Sequence, residues 1–148
     1  MIGESRIVLR SAGPDDAEEI ARLATQLGYP SSPEEMRTRI ERLTADGIGR
    51  IIAAVDAGGA VRGWTHVFVG HRIESDPFAE IGGLVVDEHH RNRGIGRSLL
   101  EEAEKWAAAS GVSTLRVRSN MIRRDAHRFY ERAGYSCIKT QGVFDKNL

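Results

Sequence analysis

Residues 91–96, Arg-Asn-Arg-Gly-Ile-Gly, combine positive charge with two glycines just before an amphipathic helix. Glycines let the backbone turn tightly and bring N–H groups close to a ligand. The helix start adds unpaired N–H groups and a positive dipole end. Together with Arg97, this pattern predicts a pyrophosphate site; a basic surface turn is the alternative. The pattern is neither a Walker loop nor a dinucleotide fingerprint, which favours another phosphate-bearing cofactor.

Two adjacent glycines, Gly82 and Gly83, interrupt the apolar run that precedes this loop. Glycine weakens a strand, and inside one it often marks a bulge or a place where a ligand approaches the backbone. In regular alternation Glu80 would share a face with Gly82, Leu84 and Val86. The run therefore predicts an irregular strand with one carboxylate near the glycines.

The elements around these residues predict a mixed α/β sheet in the order β-αα-βββ-α-β-α-ββ, with helices on both faces. Asp15 and Ser32 are the expected N-caps of the first two helices, with Glu18 and Glu35 as capping-box partners. Helices are expected to end at Gly28, Gly47, Gly111 and Gly134. Strands are expected at residues 6–10, 50–55, 61–69, 79–86, 113–117, 135–140 and 142–144.

Composition restricts the class of protein. The chain has 148 residues, 41% hydrophobic and 28% charged, and its 21 basic residues balance 21 acidic ones. Charge therefore gives no argument for nucleic acid or an anionic membrane. No apolar run approaches the ~20 residues that span a bilayer, and the first ten residues lack the apolar region of a secretory signal. We expect one cytoplasmic domain over residues 1–148, with no nucleic-acid or membrane partner.

Two stretches resemble the GNAT superfamily of N-acetyltransferases: AEIGGLVVDEHHRNRGIGRSLLEEAEKWA at residues 79–107 and AHRFYERAGY at 126–135. The first is similar to the family's R/Q-x-x-G-x-G/A loop after its fourth strand, and the second to its A..FYe..GF motif. Their order and spacing are compatible with the family, and the predicted elements follow its order. The resemblance therefore covers nearly the whole chain.

The resemblance implies acetyl-CoA as co-substrate and a bulge that splays the fourth strand from the fifth. The strand backbone would pair with the pantetheine arm, the loop and helix start would bind the pyrophosphate, and a tyrosine would lie near the sulfur. The implied coenzyme-binding residues are Leu84, Val85, Val86, Arg91, Asn92, Arg93, Gly94, Ile95, Gly96, Arg97, Ser98, Asn120 and Tyr130.

The same resemblance implies the catalytic residues. Tyr130 would protonate the leaving thiolate, because a phenol of pKa ~10 can donate to a thiolate of pKa ~8.5. On spacing alone, Tyr130 is an ordinary buried helix residue. Glu80 matches the general-base glutamate of the lysine-acetylating branch, and about 13 Å of strand between it and Leu84 favours a bridging water. A solvated glutamate is the alternative, and His66, His71 and Glu74 are weaker candidate bases.

Other reactive residues receive structural interpretations. Cys137, the one cysteine, excludes an intramolecular disulfide and a Cys-rich metal site, and we expect a buried small hydrophobe in a strand. His89 and His90, on a turn without a carboxylate partner, are expected to be solvated, so no metal is assigned. The family often has an asparagine three residues before the alanine of the last helix; Arg123 stands there, and Asn120 is the nearest asparagine.

These features predict an N-acetyltransferase acting on a small amine, a lysine or an N-terminal amine by direct transfer in a ternary complex. A non-catalytic acyl-CoA-binding regulatory module is the alternative, and another enzyme with a different phosphate ligand is a third. Two segments, residues 27–43 and 70–78, each contain charges of both signs and would select a polar amine acceptor. A homodimer through the terminal strands is plausible by analogy.

Overall fold

A computed structural model describes residues 6–148 of the chain. Their fold separates into two compact units, one ending at Val117 and one running from Arg118 to Leu148. None of the helices within residues 6–148 has the length and apolar character that a bilayer crossing requires.

The first unit is built on a five-stranded sheet in the order β1-β2-β3-β4-β5. The strands are β1 (Val8–Ser11), β2 (Gly49–Val55), β3 (Val61–Arg72), β4 (Ser75–Val86) and β5 (Leu115–Val117). β1 to β4 pair antiparallel, and β5 pairs parallel to β4. The predicted mixed sheet is confirmed.

Three helices of this unit cover both faces of the sheet: α1 (Ala17–Leu27), α2 (Pro33–Asp46) and α3 (Ile95–Ala109). α1 and α2 bury one face in a cluster formed by Ala12, Ala17, Ile20, Leu23, Ile40, Ile51, Ala53, Val61 and Val85. α3 covers the other face so closely that a Cβ at Gly63 would meet Leu99 at 3.1 Å and Ile95 at 3.2 Å. The predicted two-sided arrangement is confirmed.

The helix starts correct one predicted cap and confirm the other. A 3-10 turn at Pro14–Asp16 precedes α1, and the Asp16 carboxylate accepts a hydrogen bond from Gly13 N at 2.9 Å. Asp15 is therefore not the N-cap, because the extra turn moves the cap one residue on. Ser32 Oγ accepts from Glu35 N at 3.1 Å, as expected, whereas the Glu35 carboxylate lies 3.8 Å from Arg39.

The β3–β4 hairpin is longer than predicted. β3 continues to Arg72 and β4 begins at Ser75, so most of the expected loop at 70–78 is paired strand. In the shorter turn between β2 and β3, Asp56 Oδ1 accepts hydrogen bonds from Gly58 N and Ala60 N.

The second unit contains α4 (Arg124–Arg132), and residues 133–148 form neither helix nor strand. The two strands predicted at 135–140 and 142–144 are therefore wrong. Strands persist only with a ladder partner, and here the apolar side chains of Ile138, Val143 and Phe144 are exposed, Phe144 to 94%. Cys137, expected to be buried in the first of these strands, is exposed for the same reason.

Candidate functional site

The basic loop leads into α3 through two residues with left-handed backbone conformation. Gly94, the N-cap of α3, has φ of +80°, and Asn92 has φ of +62°. Glycine adopts this conformation without strain and asparagine tolerates it. Among residues 6–148 no side chain caps α3, and no acidic residue lies in its first turn. The first N–H groups of α3, at the positive end of the helix dipole, are therefore available to an anion.

The arginine side chains of the loop differ in whether they form ion pairs. Arg91 and Arg93 are exposed, and neither has an ion-pair partner among residues 6–148. Arg97, in the first turn of α3, pairs with Glu101 at 3.3 Å. Gly96 is half-buried and Ser98 N donates to Gly94 O at 3.0 Å. Unpaired guanidinium groups beside an uncapped helix start suit a diphosphate.

A buried carboxylate, which the sequence did not single out, anchors the start of this loop. Asp87 follows β4 directly and is 3% exposed. Its carboxylate lies 3.4 Å from the guanidinium of Arg22 on α1 and 3.3 Å from that of Arg62 on β3. Gln26 of α1 donates to it at 3.5 Å and accepts from Glu88 N at 2.9 Å. The four-residue spacing of Arg22 and Gln26 on one helix face was the available signal.

The protonation of Asp87 reflects these contacts. Burial acts to raise its pKa, but the hydrogen bonds from His89 N and Gln26 and the Arg22 guanidinium outweigh that effect and lower it below the ordinary value. His90 Nδ1 lies 3.8 Å from the same carboxylate. Both histidines therefore have a carboxylate neighbour that the sequence interpretation denied them, because His89 Nε2 lies 3.5 Å from the Glu88 carboxylate. The His89 side chain is 80% exposed, as expected.

β4 carries the predicted bulge and splay. His66 pairs with Gly83 and Val67 with Ile81, so Gly82 is the extra residue. β4 pairs with β5 only at residues 79–81. Beyond Ile81, no strand formed by residues 6–148 pairs with that edge of β4, which leaves backbone groups around Leu84, Val85 and Val86 available to an extended ligand.

The bulge changes the face on which Glu80 lies relative to the strand that follows. Residues directly opposite in an antiparallel pair share a face, and Glu80 lies opposite Phe68 whereas Leu84 lies opposite Thr65. Glu80 and Leu84 therefore point to opposite faces. The expected common face of Glu80, Leu84 and Val86 is wrong, because the extra residue at the bulge inverts the alternation.

His66 occupies the face of Glu80. Its ring stacks on Phe68 with centroids 5.3 Å apart, and its Nε2 is buried without a hydrogen-bond partner among the described residues. Burial lowers the pKa of His66, so the ring is neutral at neutral pH. His66 and Glu80 are diagonal neighbours across the strand pair, with the bulge between them. The structure thus brings a neutral imidazole and a carboxylate to one side of the bulge.

The two weaker candidate bases lie at the far end of this hairpin. His71 is exposed near the end of β3 and lines a cleft of about 480 Å³ with Asp76, Pro77 and residues 110–113. Glu74 is exposed in the turn between β3 and β4. Within residues 6–148, no contact links the side chain of His71 or Glu74 to the bulge.

Tyr130 lies in α4 of the second unit, which is described here by itself. Its ring makes edge contacts with Phe129 at 5.1 Å and Tyr135 at 5.8 Å. Burial raises the pKa of Tyr130, and the charge of Arg123 opposes that shift only partly. The phenol is therefore protonated at neutral pH, as a proton donor must be.

Asn120 is engaged in its own turn. Its Oδ1 accepts from Ile122 N at 3.1 Å, and its carbonyl oxygen accepts from Arg123 N at 3.0 Å. The side-chain oxygen thus stabilises the approach to α4, and the side-chain nitrogen is the group left for a ligand. Within residues 6–148 no three His, Cys, Asp or Glu side chains come close enough to hold a metal ion.

Sequence comparisons relate most of the chain to one family. The model of the acetyltransferase (GNAT) family matches residues 15–135. The aminoalkylphosphonate N-acetyltransferase of Salmonella typhimurium is 42% identical over 65 residues, 44% of this chain and 42% of that protein. An uncharacterized N-acetyltransferase of Bacillus subtilis is 40% identical over 50 residues, 34% of this chain and 35% of its own. Both matches span less than half the length of these relatives.

Solved structures share the fold at low identity. An aminoglycoside N-acetyltransferase, AAC(6')-Iy in complex with CoA, superposes with a TM-score of 0.87 at 14% identity over 100% of this chain and 99% of its own. A putative acetyltransferase from Agrobacterium tumefaciens has a TM-score of 0.82 at 22% identity, over 94% of this chain and 99% of its own.

Proposed function

Because the chain belongs to the acetyltransferase (GNAT) family, we propose that it is an acetyl-CoA-dependent N-acetyltransferase that acts on a primary amine. The observation that carries the proposal is the start of α3, which follows two residues of left-handed backbone and has no side-chain cap among residues 6–148. It lies next to an edge of β4 with which no strand of these residues pairs beyond Ile81. A diphosphate and an extended amide-bearing arm are the ligand features that such a pair of sites accommodates.

Coenzyme binding would use both parts. The backbone N–H groups of residues 94–98 hold the pyrophosphate, with Arg91, Asn92, Arg93 and Arg97 supplying positive charge and donors. The backbone of residues 84–86 pairs with the pantetheine arm, which brings the thioester to the bulge. Asn120, through its side-chain nitrogen, is the proposed contact from the second unit.

The chemistry requires two proton movements. Glu80 accepts a proton from the acceptor ammonium through a water, and the free amine attacks the thioester carbonyl. The C–S bond breaks, and the thiolate takes the proton of the Tyr130 phenol. His66, neutral and on the face of Glu80, is a second group that can receive the amine proton. Cys137 has no part in this scheme, which is direct transfer in a ternary complex.

The acceptor class is part of the proposal. Two of the proteins named above are an aminoalkylphosphonate N-acetyltransferase and an aminoglycoside N-acetyltransferase, whose names indicate small-molecule amines as acceptors. We extend a small-molecule acceptor to this chain, with a peptide lysine or N-terminal amine as the alternative. The same proposal describes the enzyme as a single cytoplasmic domain that requires no metal. A homodimer is the oligomeric state that it includes besides the monomer.

Calorimetry with acetyl-CoA and dephospho-CoA tests the cofactor, and a matched pair of variants tests its site. Gly94 and Gly59 have φ of +80° and +87°, and neither has an atom within 4 Å of an added Cβ. Gly94→Ala and Gly59→Ala therefore carry similar backbone strain, of about 1–2 kcal/mol. We expect coenzyme affinity to fall at least tenfold only in Gly94→Ala.

An assay of free thiol release with a panel of amines then tests catalysis. Amine-dependent release supports the enzyme. Tight coenzyme binding without release on any amine would contradict it and support the non-catalytic regulatory module. No binding by the folded protein would refute the assignment of the loop.

A further inference from the structure

Two guanidinium groups lie against one buried aromatic ring beside Glu80. The Cζ of Arg116 on β5 lies 4.2 Å from the ring centroid of Phe78, and that of Arg72 on β3 lies 5.4 Å away. Phe78 itself is 4% exposed. Neither arginine has an ion-pair partner within the described part of the chain, residues 6–148, although acidic side chains are abundant in the sequence.

The arrangement concentrates positive charge that the protein itself does not neutralise. Contact with an aromatic face stabilises a guanidinium. Two cations that share one ring also repel each other. An anion bound beside either guanidinium would offset that repulsion, and the planar fork of arginine matches the oxygens of a carboxylate, phosphate or phosphonate.

This cationic pair is adjacent to the proposed proton acceptor. Phe78 and Glu80 are two residues apart on β4 and so point to the same face. Arg116 is the residue that pairs with Glu80 in the parallel ladder. Two residues of strand span about 6.6 Å. An acceptor whose amine lies at Glu80 can therefore reach the arginines with an acid group only a few bonds away.

We propose that Arg116 and Arg72 select a small primary amine that carries an anionic group: a carboxylate, phosphate or phosphonate. The inference rests on the proposed acetyltransferase activity and specifies its acceptor. Arg116, which pairs with Glu80 in the parallel ladder, binds the acid group and orients the amine toward Glu80, and Arg72 adds positive charge. They also disfavour acceptors with several positive charges, because a second ammonium group would approach two cations.

A set of amines of similar length tests the selection: 2-aminoethylphosphonate, β-alanine and ethanolamine, with an aminoglycoside as the polycation. We expect kcat/KM for the better of the two acids to exceed that for ethanolamine and the aminoglycoside at least tenfold. The phosphonate and carboxylate arms show which acid group the arginines prefer. Equal rates for acids and ethanolamine would overturn the inference and leave the acetyltransferase proposal intact.

Variants separate recognition from chemistry. In Arg116→Gln we expect the ratio of kcat/KM for the acids to that for ethanolamine to fall about tenfold, and in Arg116→Lys we expect a smaller fall. Lys105→Gln removes one positive charge from the exposed face of α3 and is the control. A uniform loss on every amine in Arg116→Gln would mean a structural role and contradict the inference.

A binding arm covers the case in which none of these amines is acetylated. Calorimetry with CoA present should show 2-aminoethylphosphonate or β-alanine binding to the full chain, weakened about tenfold in Arg116→Gln, and no ethanolamine binding. Binding without transfer would support the anion site and contradict the activity. Absence of binding by both acids would overturn the inference.

Discussion

The imidazole of His66 fills the space above Gly82: a Cβ added at residue 82 would come 2.6 Å from Nδ1 of His66 and 3.2 Å from Phe68. The bulge and the histidine are therefore one unit, since the extra residue of β4 must be glycine for the ring to stack where it does. The neutral His66 ring can lie beside Glu80 because residue 82 has no side chain.

Gly82→Ala is expected to displace the His66 ring and to destabilise the protein by about 1–3 kcal/mol, the usual cost of overpacking. Urea unfolding measures the change. Gly13→Ala is the control, because an added Cβ there meets nothing within 4 Å. Equal stability of the two variants would show that the ring moves without cost and would contradict the close fit.

Lowering the pH should destabilise the protein through His66. Because burial places its folded pKa below the ordinary value of about 6.5, the unfolded chain binds more protons between those two pKa values. Stability is therefore lost as pH falls through 6.5 toward the folded pKa, and no contribution remains above 6.5. The fall in Tm between pH 7.5 and 5.5 should be smaller in His66→Phe than in the wild type.

His89→Asn serves as the control for that comparison, because its side chain is 80% exposed. A wild-type fall in Tm that His66→Phe leaves unaltered would assign the acid sensitivity to another group.

Tyr130→Phe should lower kcat by about 10²-fold, the lower range for loss of a general acid, with little change in coenzyme affinity. Because burial raises the pKa of the phenol, Tyr130 should also cause no loss of activity in the wild type below about pH 10. Stopped thiol-release assays across pH 6–10, with calorimetry of acetyl-CoA, check both points. Unchanged kcat in the variant would remove Tyr130 from the mechanism.

Asp87→Asn should destabilise the protein by about 1–3 kcal/mol, because it weakens the hydrogen bonds and ion pairs of a buried carboxylate. The cost stays below that of an unpaired buried charge, because Arg22 keeps Glu19 and Arg62 keeps Asp56 as ion-pair partners. Coenzyme affinity should fall as well, since Asp87 and Gln26 hold the start of the phosphate loop. Gln26→Leu is the milder companion, and Asp15→Asn, whose side chain is fully exposed, is the control. Wild-type coenzyme affinity in a folded Asp87→Asn protein would refute the anchoring role.

Local patterns in the sequence predicted the sheet, its two-sided helical cover and the bulge. Gly82-Gly83 marked the bulge because only glycine tolerates the close approach of a neighbouring strand's side chains. The direction of Glu80 relative to Leu84 could not be predicted, because it depends on which β3 residue opposes the extra one, and cross-strand register is not a local property.

The remaining errors also concern partners distant in sequence. The run at 135–144 has strand-like residues, but a strand requires a ladder, and the described chain supplies none. Asp87 was overlooked because its significance lies in Arg22 and Gln26, which are 65 and 61 residues away. Its identity as the first polar residue after β4 was visible; its buried pairing was not.

The bulge lets β4 carry one more residue than β3 without changing the face of any paired residue. His66 pairs with Gly83 and Val67 with Ile81, so Gly82 has no residue opposite it. Deleting Gly82 would therefore leave Gly83 to Val86 on the faces they now occupy, with Val85 still in the cluster under α1 and α2. A homologue with a one-residue gap at this position would need the same pattern of large and small side chains on both sides of the gap. Chain length at position 82 can thus vary without moving any side chain of β4 from one face of the sheet to the other.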